Sequence, residues 1–256
     1  MLYSVLTIFP DLLHSPLHEG IIRKAQADGK IRIEISDIRE FTTDKHAMTD
    51  DRPFGGGEGM VMKPEPLAAA VKQVHRAHAG KKRVILLSPQ GRLYNQAVAQ
   101  RLSREKHLVL VCGRYEGVDE RFRATYVEEE ISMGDYILTG GELAAMAIID
   151  SVTRLIPGVL GCSDSADKDS FSRNLLKHPQ FTRPRNFEDQ EVPAELLSGD
   201  HQKIEQYRLL ASVKRTLNRR PDLIKASSFS DSEMKILKKH GLYKDILAIK
   251  QRAEFS

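Results

Sequence analysis

Cysteine is scarce: Cys112 and Cys162 are the two in 256 residues, so a disulfide framework is excluded. No apolar run approaches the roughly 20 residues that span a bilayer. The opening MLYSVLTIFPDLL lacks a basic flank and a small-residue cleavage site, so it reads as a strand of the fold. These absences point to a cytoplasmic protein with no membrane association. No GxGxxG and no GxxxxGK[ST] occurs, which argues against a nicotinamide oxidoreductase and against a nucleoside-triphosphate loop. The nine histidines show neither HExxH nor zinc-finger spacing, so no structural zinc is expected and metal ligands are not assigned. Charge of one sign is also short: 39 Lys and Arg against 35 Asp and Glu leave +4, too mild by itself to mark a nucleic-acid binder.

The apolar pattern alternates strand and helix. Leu2 to Phe9 reads as a strand, Leu12 to Ala27 as one helix, and Ile31 to Ile38 as a strand, before a polar flap runs to the glycines at 55–59. A helix is expected over Pro66 to His78, then a strand Val84 to Leu87 ending at Ser88-Pro89, and a helix Asn95 to Arg104. Next come a strand His107 to Cys112, a short helix Val118 to Arg123, a strand Tyr126 to Ile131 and an apolar helix Gly141 to Ile156. On that last helix Leu143, Met146, Ala147 and Asp150 share helical spacing, which reads as a buried or interface face. The order implies an α/β domain with a mainly parallel sheet over residues 1–160. Residues 161–172 have the composition of a flexible linker. A small helical unit follows over 173–256, with helices expected at Gln202 to Asn218, Ser230 to His240 and Tyr243 to Arg252.

Two glycine turns lie at strand ends, GRYEG at 113–117 and the run holding Gly134, Gly140 and Gly141, where ligands of parallel sheets bind. Tight turns alone also account for them. DDRPFGGGEG (50–59) suits a flap bringing amides beside a guanidinium, or an ordinary surface loop. Asp150 and Arg154, four apart, can form a helical pair, yet an Arg on an apolar helix invites a substrate oxygen as partner. Asp169 can be a cap, a solvated carboxylate or a base. From Lys203 to Arg220 six basic residues stand against Glu205, with Arg208, Arg215 and Arg219 on one helical face, a pattern suited to the phosphates of RNA. Cys112 ends an apolar run and reads as core.

Taken together, DRPFGGGEGM, SPQGR, CGRYEGVDER, ISMGDYILTGGEL, PGVLG, HPQFTRP and RTLNRRPDL, collinear over nearly the whole chain, resemble the bacterial tRNA (guanine-N1)-methyltransferase family, the TrmD type of the SPOUT superfamily. The resemblance implies a deep trefoil knot in the α/β domain and a homodimer with composite active sites, for which the apolar helix 141–156 would supply interface. It implies S-adenosylmethionine held by Leu87, Ser88 and Pro89, by Gly113, Tyr115 and Glu116, and by Ile131, Ser132, Met133, Gly134, Asp135, Tyr136, Ile137, Leu138, Gly140 and Gly141. It implies methylation of N1 of guanine at tRNA position 37, next to the anticodon, with Asp169 taking the N1 proton, Arg154 stabilising O6, and direct in-line attack on the methyl group. Substrate contacts would come from Asp50, Arg52, Gly59, Ser170, His178, Arg183, Arg208, Arg215 and Arg219, and Mg2+ would support activity. Tyr207, Phe181, Ala144 and Lys177 depart from the family pattern, Lys177 standing where an acid can occur. Other SPOUT enzymes would keep the cofactor loops without the collinear linker and tail, and a noncatalytic RNA-binding module would lack Asp169 or Arg154.

Overall fold

The structure, a computed structural model, describes residues 1–161 and 169–251. The chain divides into two compact units, Met1–Ser163 and Asp164–Ser256, and each is described by itself. Cys162 and most of the expected linker, residues 162–168, lie outside the described residues.

The first unit runs β1 (Leu2–Thr7), α1 (His14–Leu17), α2 (Gly20–Ala27), β2 (Arg32–Asp37), β3 (Asp50–Asp51), β4 (Val61–Met62), α3 (Pro64–Ala77), β5 (Arg83–Leu93), α4 (Gln96–Leu102), β6 (His107–Cys112), α5 (Glu120–Tyr126), β7 (Glu129–Ser132) and α6 (Glu142–Thr153). Five strands form a parallel sheet in the order β2-β1-β6-β5-β7. A strand covered on both faces is apolar throughout, and every residue of β6 is buried. Because side chains alternate across a strand, Leu108, Leu110 and Cys112 pack with Val98, Leu102, Ile148 and Val152 on one face, and Val109 and Val111 with Leu67, Val71 and Phe122 on the other.

Two sequence expectations require correction here. The single helix Leu12 to Ala27 is a 3-10 turn Pro10–Leu13 followed by α1 and α2, with Gly20 at φ +57° turning the chain between the helices. Apolar spacing carries across a bend whenever both sides face one core, so periodicity did not reveal the break. The strand expected to end at Leu87 continues to Leu93, with both Leu87 and Arg92 opposite Ile131. Residues 88–91 therefore leave the ladder and return to it, and Gly91 passes so close to β7 that a Cβ there would lie 2.4 Å from the Glu130 carbonyl carbon. On α6 the buried face is Ala144, Ala145, Ile148, Ile149 and Val152. Leu143, 56% exposed, and Asp150 lie on the outer face with half-buried Met146 and Ala147.

The second unit contains a hairpin, β8 (Asn186–Phe187) with β9 (Gln190–Glu191), then α7 (Ala194–Leu197), α8 (His201–Arg219), α9 (Pro221–Ala226), α10 (Asp231–Lys239) and α11 (Tyr243–Gln251). Leu175, Val213, Ile224, Leu237, Leu242 and Ile246 make its core. The helix starts are chemically specified. Asp200 accepts from the Gln202 and Lys203 amides, Ser230 and Glu233 form a capping box, and Pro221 opens α9, for which no helix was expected. Among the described residues no helix is long and apolar enough to cross a membrane.

Candidate active site

The stretch of β5 that leaves the ladder at residues 88–91 and the carboxyl ends of β6 and β7 open into a cavity of about 460 Å³, within the size range of small-molecule sites. Of the residues expected to hold a cofactor, Leu87, Ser88, Pro89, Gly113, Tyr115, Glu116, Ile131, Ser132, Met133, Tyr136, Ile137, Leu138, Gly140 and Gly141 line it. Gly134 and Asp135 are not among the lining residues. Gly134 adopts φ +147° beneath the Tyr136 ring, and the Ser132 hydroxyl accepts from its amide at 3.3 Å, so it shapes the loop rather than the wall.

Close backbone approach explains the glycines. The Gly141 amide donates to the Gly113 carbonyl at 3.0 Å, and a Cβ on Gly141 would stand 2.7 Å from the Cys112 Cα. The two turns are also clamped by side chains that the sequence reading did not single out. The Arg114 guanidinium lies 2.9 Å from Glu142, donates to the Thr139 carbonyl at 3.1 Å and sits over the Phe9 ring at 4.5 Å. Glu142 is 1% exposed; its Oε1 accepts from the Thr7 hydroxyl at 2.6 Å and from Arg114 Nε at 3.3 Å, while Oε2 makes the ion pair without a hydrogen bond of its own. A charged pair at the edges of two glycine turns was the available signal, but the contact spans 28 positions.

The Asp50 to Gly59 stretch is a hairpin tip between β3 and β4. It is tied to the GRYEG turn by Glu116 N–H to Met60 O and Met62 N–H to Gly117 O, both 2.9 Å. Gly59, at φ +83°, leaves room for Glu116, which a Cβ would meet at 2.6 Å. Asp50 is half-buried and Arg52 exposed. Also lining the cavity, partly exposed Arg123 pairs with Glu130 at 3.0 Å and with Glu120. Arg154 is not a buried helical residue, as the apolar run suggested; it is the exposed C-cap of α6. The Cys112 thiol is fully buried, and burial pushes its pKa well up, which suits packing and not nucleophilic attack.

In the second unit Asp169, His178 and Arg208 line one cleft of about 540 Å³. The segment carrying Asp169 is fastened to α8: Leu176 N–H donates to Thr216 at 2.9 Å, Ser212 to the Leu176 carbonyl, and Arg215 to the Lys177 carbonyl at 3.1 Å. The Lys177 amide donates to the Ser170 hydroxyl at 2.9 Å, and the Lys177 ammonium meets the Asp169 carboxylate at 2.8 Å. Arg208 pairs with Glu205 at 2.7 Å. The basic stripe of α8 is therefore not a bare face: Arg208 and Arg215 have partners within the unit, while Arg219 is exposed. Arg183 is exposed, and neither it nor Arg219 lines the cleft.

A parallel sheet with a cavity lined by glycine turns, followed by a helical unit with basic and acidic groups around a cleft, defines a two-unit α/β protein with a cavity of small-molecule size. Residues 1–226 match the family described as tRNA (Guanine-1)-methyltransferase TrmD. Relatives named tRNA (guanine-N(1)-)-methyltransferase include proteins of Carboxydothermus hydrogenoformans, 50% identical over 100% of both chains, and of Desulfatibacillum aliphaticivorans, 51% identical over 94% of this chain and 92% of that one. A third, from Dehalococcoides mccartyi, is 48% identical over 93% and 96%. The chain belongs to the tRNA (guanine-N1)-methyltransferase family.

Proposed function

We propose that the protein transfers the methyl group of S-adenosylmethionine to N1 of guanine 37 in tRNA, acting in the cytoplasm. The observation that carries this reading is the cavity at residues 88–91 of β5 and the ends of β6 and β7, lined by fourteen of the sixteen residues assigned to the cofactor. Its apolar wall of Leu87, Ile131, Leu138 and Ala144 suits a flat base, and Glu116, Arg114 and Arg123 suit a zwitterionic amino-acid end. When bound, S-adenosylmethionine supplies an electrophilic methyl group on a sulfonium sulfur.

The protein's task is to make guanine N1 a nucleophile. N1 carries a proton, so its lone pair becomes available only as that proton leaves, and Asp169 is the carboxylate assigned to take it. The negative charge that then grows on O6 is met by the Arg154 guanidinium. The N1 lone pair forms the new bond to carbon in line with the breaking carbon–sulfur bond, whose electrons stay on sulfur. Asp50, Arg52, Gly59, Ser170, His178, Arg183, Arg208, Arg215 and Arg219 are assigned to tRNA contacts. Mg2+ is assigned to the reaction without ligands; among the described residues no group of three His, Cys, Asp or Glu side chains is arranged to hold a metal. The knotted SPOUT topology belongs to this proposal, supported by the family match and the parallel sheet order. So does a homodimer, supported by the apolar outer face of α6 around Leu143.

Labelled S-adenosylmethionine with a tRNA transcript carrying guanine 37 should give labelled tRNA, and a transcript with that base replaced should not. Equal labelling of both would overturn the assigned target. Asp169→Asn should retain cofactor affinity by calorimetry and lose at least about 100-fold in single-turnover rate; full activity would remove the base role.

A further inference from the structure

We propose that Lys177 is a positioning residue that holds the Asp169 carboxylate ionised and aimed, and thereby sets the lower pH limit of methyl transfer. The inference rests on the reading of Asp169 as the base.

Both partners of the pair are fixed. The ammonium and carboxylate are 2.8 Å apart, with the side chains 35% and 28% exposed, so the contact is partly shielded from water and less screened than a surface pair. The Lys177 backbone is held at both ends, its amide by the Ser170 hydroxyl and its carbonyl by Arg215. The Asp169 carbonyl accepts from the Ser172 hydroxyl at 2.7 Å. The remaining charged groups around the cleft come from three elements and are largely matched among themselves. Arg173, on the Asp169 segment, meets Glu233 of α10 at 2.9 Å, and Arg208 meets Glu205 on α8. His178 lies on the same segment as Asp169, and Arg220 stands over the Phe171 ring at 5.9 Å.

An ammonium at this distance favours the ionised carboxylate. That has two opposed effects on a base. More of the protein carries the form able to accept the N1 proton at acid pH, while each carboxylate is intrinsically weaker as a proton acceptor. The proton balance is simple: N1 releases it and Asp169 receives it. Replacing Lys177 by a neutral residue raises the pKa of Asp169 and moves the acid limb of the rate profile to higher pH.

The test is the single-turnover rate of the full-length protein with saturating cofactor and guanine-37 tRNA, measured from acid to alkaline pH. Lys177→Gln should shift the midpoint of the acid limb upward by about one pH unit, and Lys177→Arg should restore the unsubstituted midpoint. Carbon-13 observation of the Asp169 carboxyl in Lys177→Met gives the same shift without turnover, which a purely structural role for the lysine would not produce. Superimposable profiles for Lys177→Gln and the unsubstituted protein, with Asp169→Asn inactive, overturn the positioning role and leave the base intact. An active Asp169→Asn overturns both.

Discussion

The cavity over the sheet and the cleft of the helical unit are built from different materials. The sheet cavity has, beside its lining side chains, glycine turns pressed against one another at distances that leave no room for a Cβ, clamped by the buried Arg114–Glu142 pair. The cleft of the helical unit is walled by side chains, apolar ones such as Leu175, Leu209 and Ile236 and charged ones such as Asp169, Arg173, Glu233, Arg208 and Glu205, whose ion pairs are partly open to water. Backbone packed this closely has no side-chain rotamer by which to move away. Side-chain walls can exchange partners at small cost, because water and competing charges substitute for what is lost. A site for a small, constant ligand suits the first construction, and a site that must admit a folded polyanion suits the second.

Breaking the clamp should have the largest effect. In Glu142→Gln the Arg114 guanidinium loses its counter-charge in a buried setting, and the unfolding free energy should fall by roughly 4 kcal/mol in urea titration. A loss below about 1 kcal/mol would mean that the two turns stand without the pair. Gly91→Ala comes next. Its Cβ meets the backbone of Glu130 and Ile131, which cannot rotate away, so a loss of roughly 3 kcal/mol and weakened binding of S-adenosylhomocysteine by calorimetry are expected; unchanged values for both would contradict the close passage.

The third expectation concerns pH. The pKa of His107 is pulled down to about 4, first by burial and then by His78 and Lys82. The Ser4 hydroxyl lies 2.9 Å from its Nε2. Its folded value lies below the unfolded one of about 6.5, so the unfolded chain binds more protons between them. The stability is full above pH 6.5 and is lost as the pH falls toward 4, by about 2 kcal/mol between pH 7 and pH 5. His107→Gln should flatten that slope in denaturant titrations at the two pH values; an unaltered slope would assign the pH dependence elsewhere. The smallest effect falls in the helical unit. Arg173→Ala opens a half-exposed pair and should cost less than about 1 kcal/mol, and a melting shift as large as that of Glu142→Gln would erase the contrast between the cavities.

Much of the sheet was legible from the chain because a two-sided strand needs consecutive apolar residues. His107–Cys112 was bounded to the residue, and α8, α10 and α11 fell within two residues of expectation at each end. Failures occurred where local pattern and global packing part company. Gly20 bent an apparently continuous helix. Pro89 looked like the end of β5 although the strand resumed beyond it. On α6 both faces are apolar enough to be read as inward, and packing against β1, β6, α2 and α4 buries Ala145 and Ile149 while Leu143 stays exposed.

The candidate site divides in the same way. Glycine turns at strand ends were visible because glycine is the residue that permits close backbone approach, and the collinear strings carried the family. Arg114 with Glu142, and Lys177 with Asp169, were not visible as pairs. A linear sequence states which charges exist and roughly which element each belongs to. Partner choice depends on burial and on which turns meet, and those are properties of the packed chain. The sequence by itself determined an α/β unit followed by a helical one, with the glycine turns of a ligand cavity. Tertiary structure decided how those turns are clamped, which face of α6 is inward and which cation meets Asp169, because a charge interaction is set by distance and solvent exclusion, and neither is written along the chain.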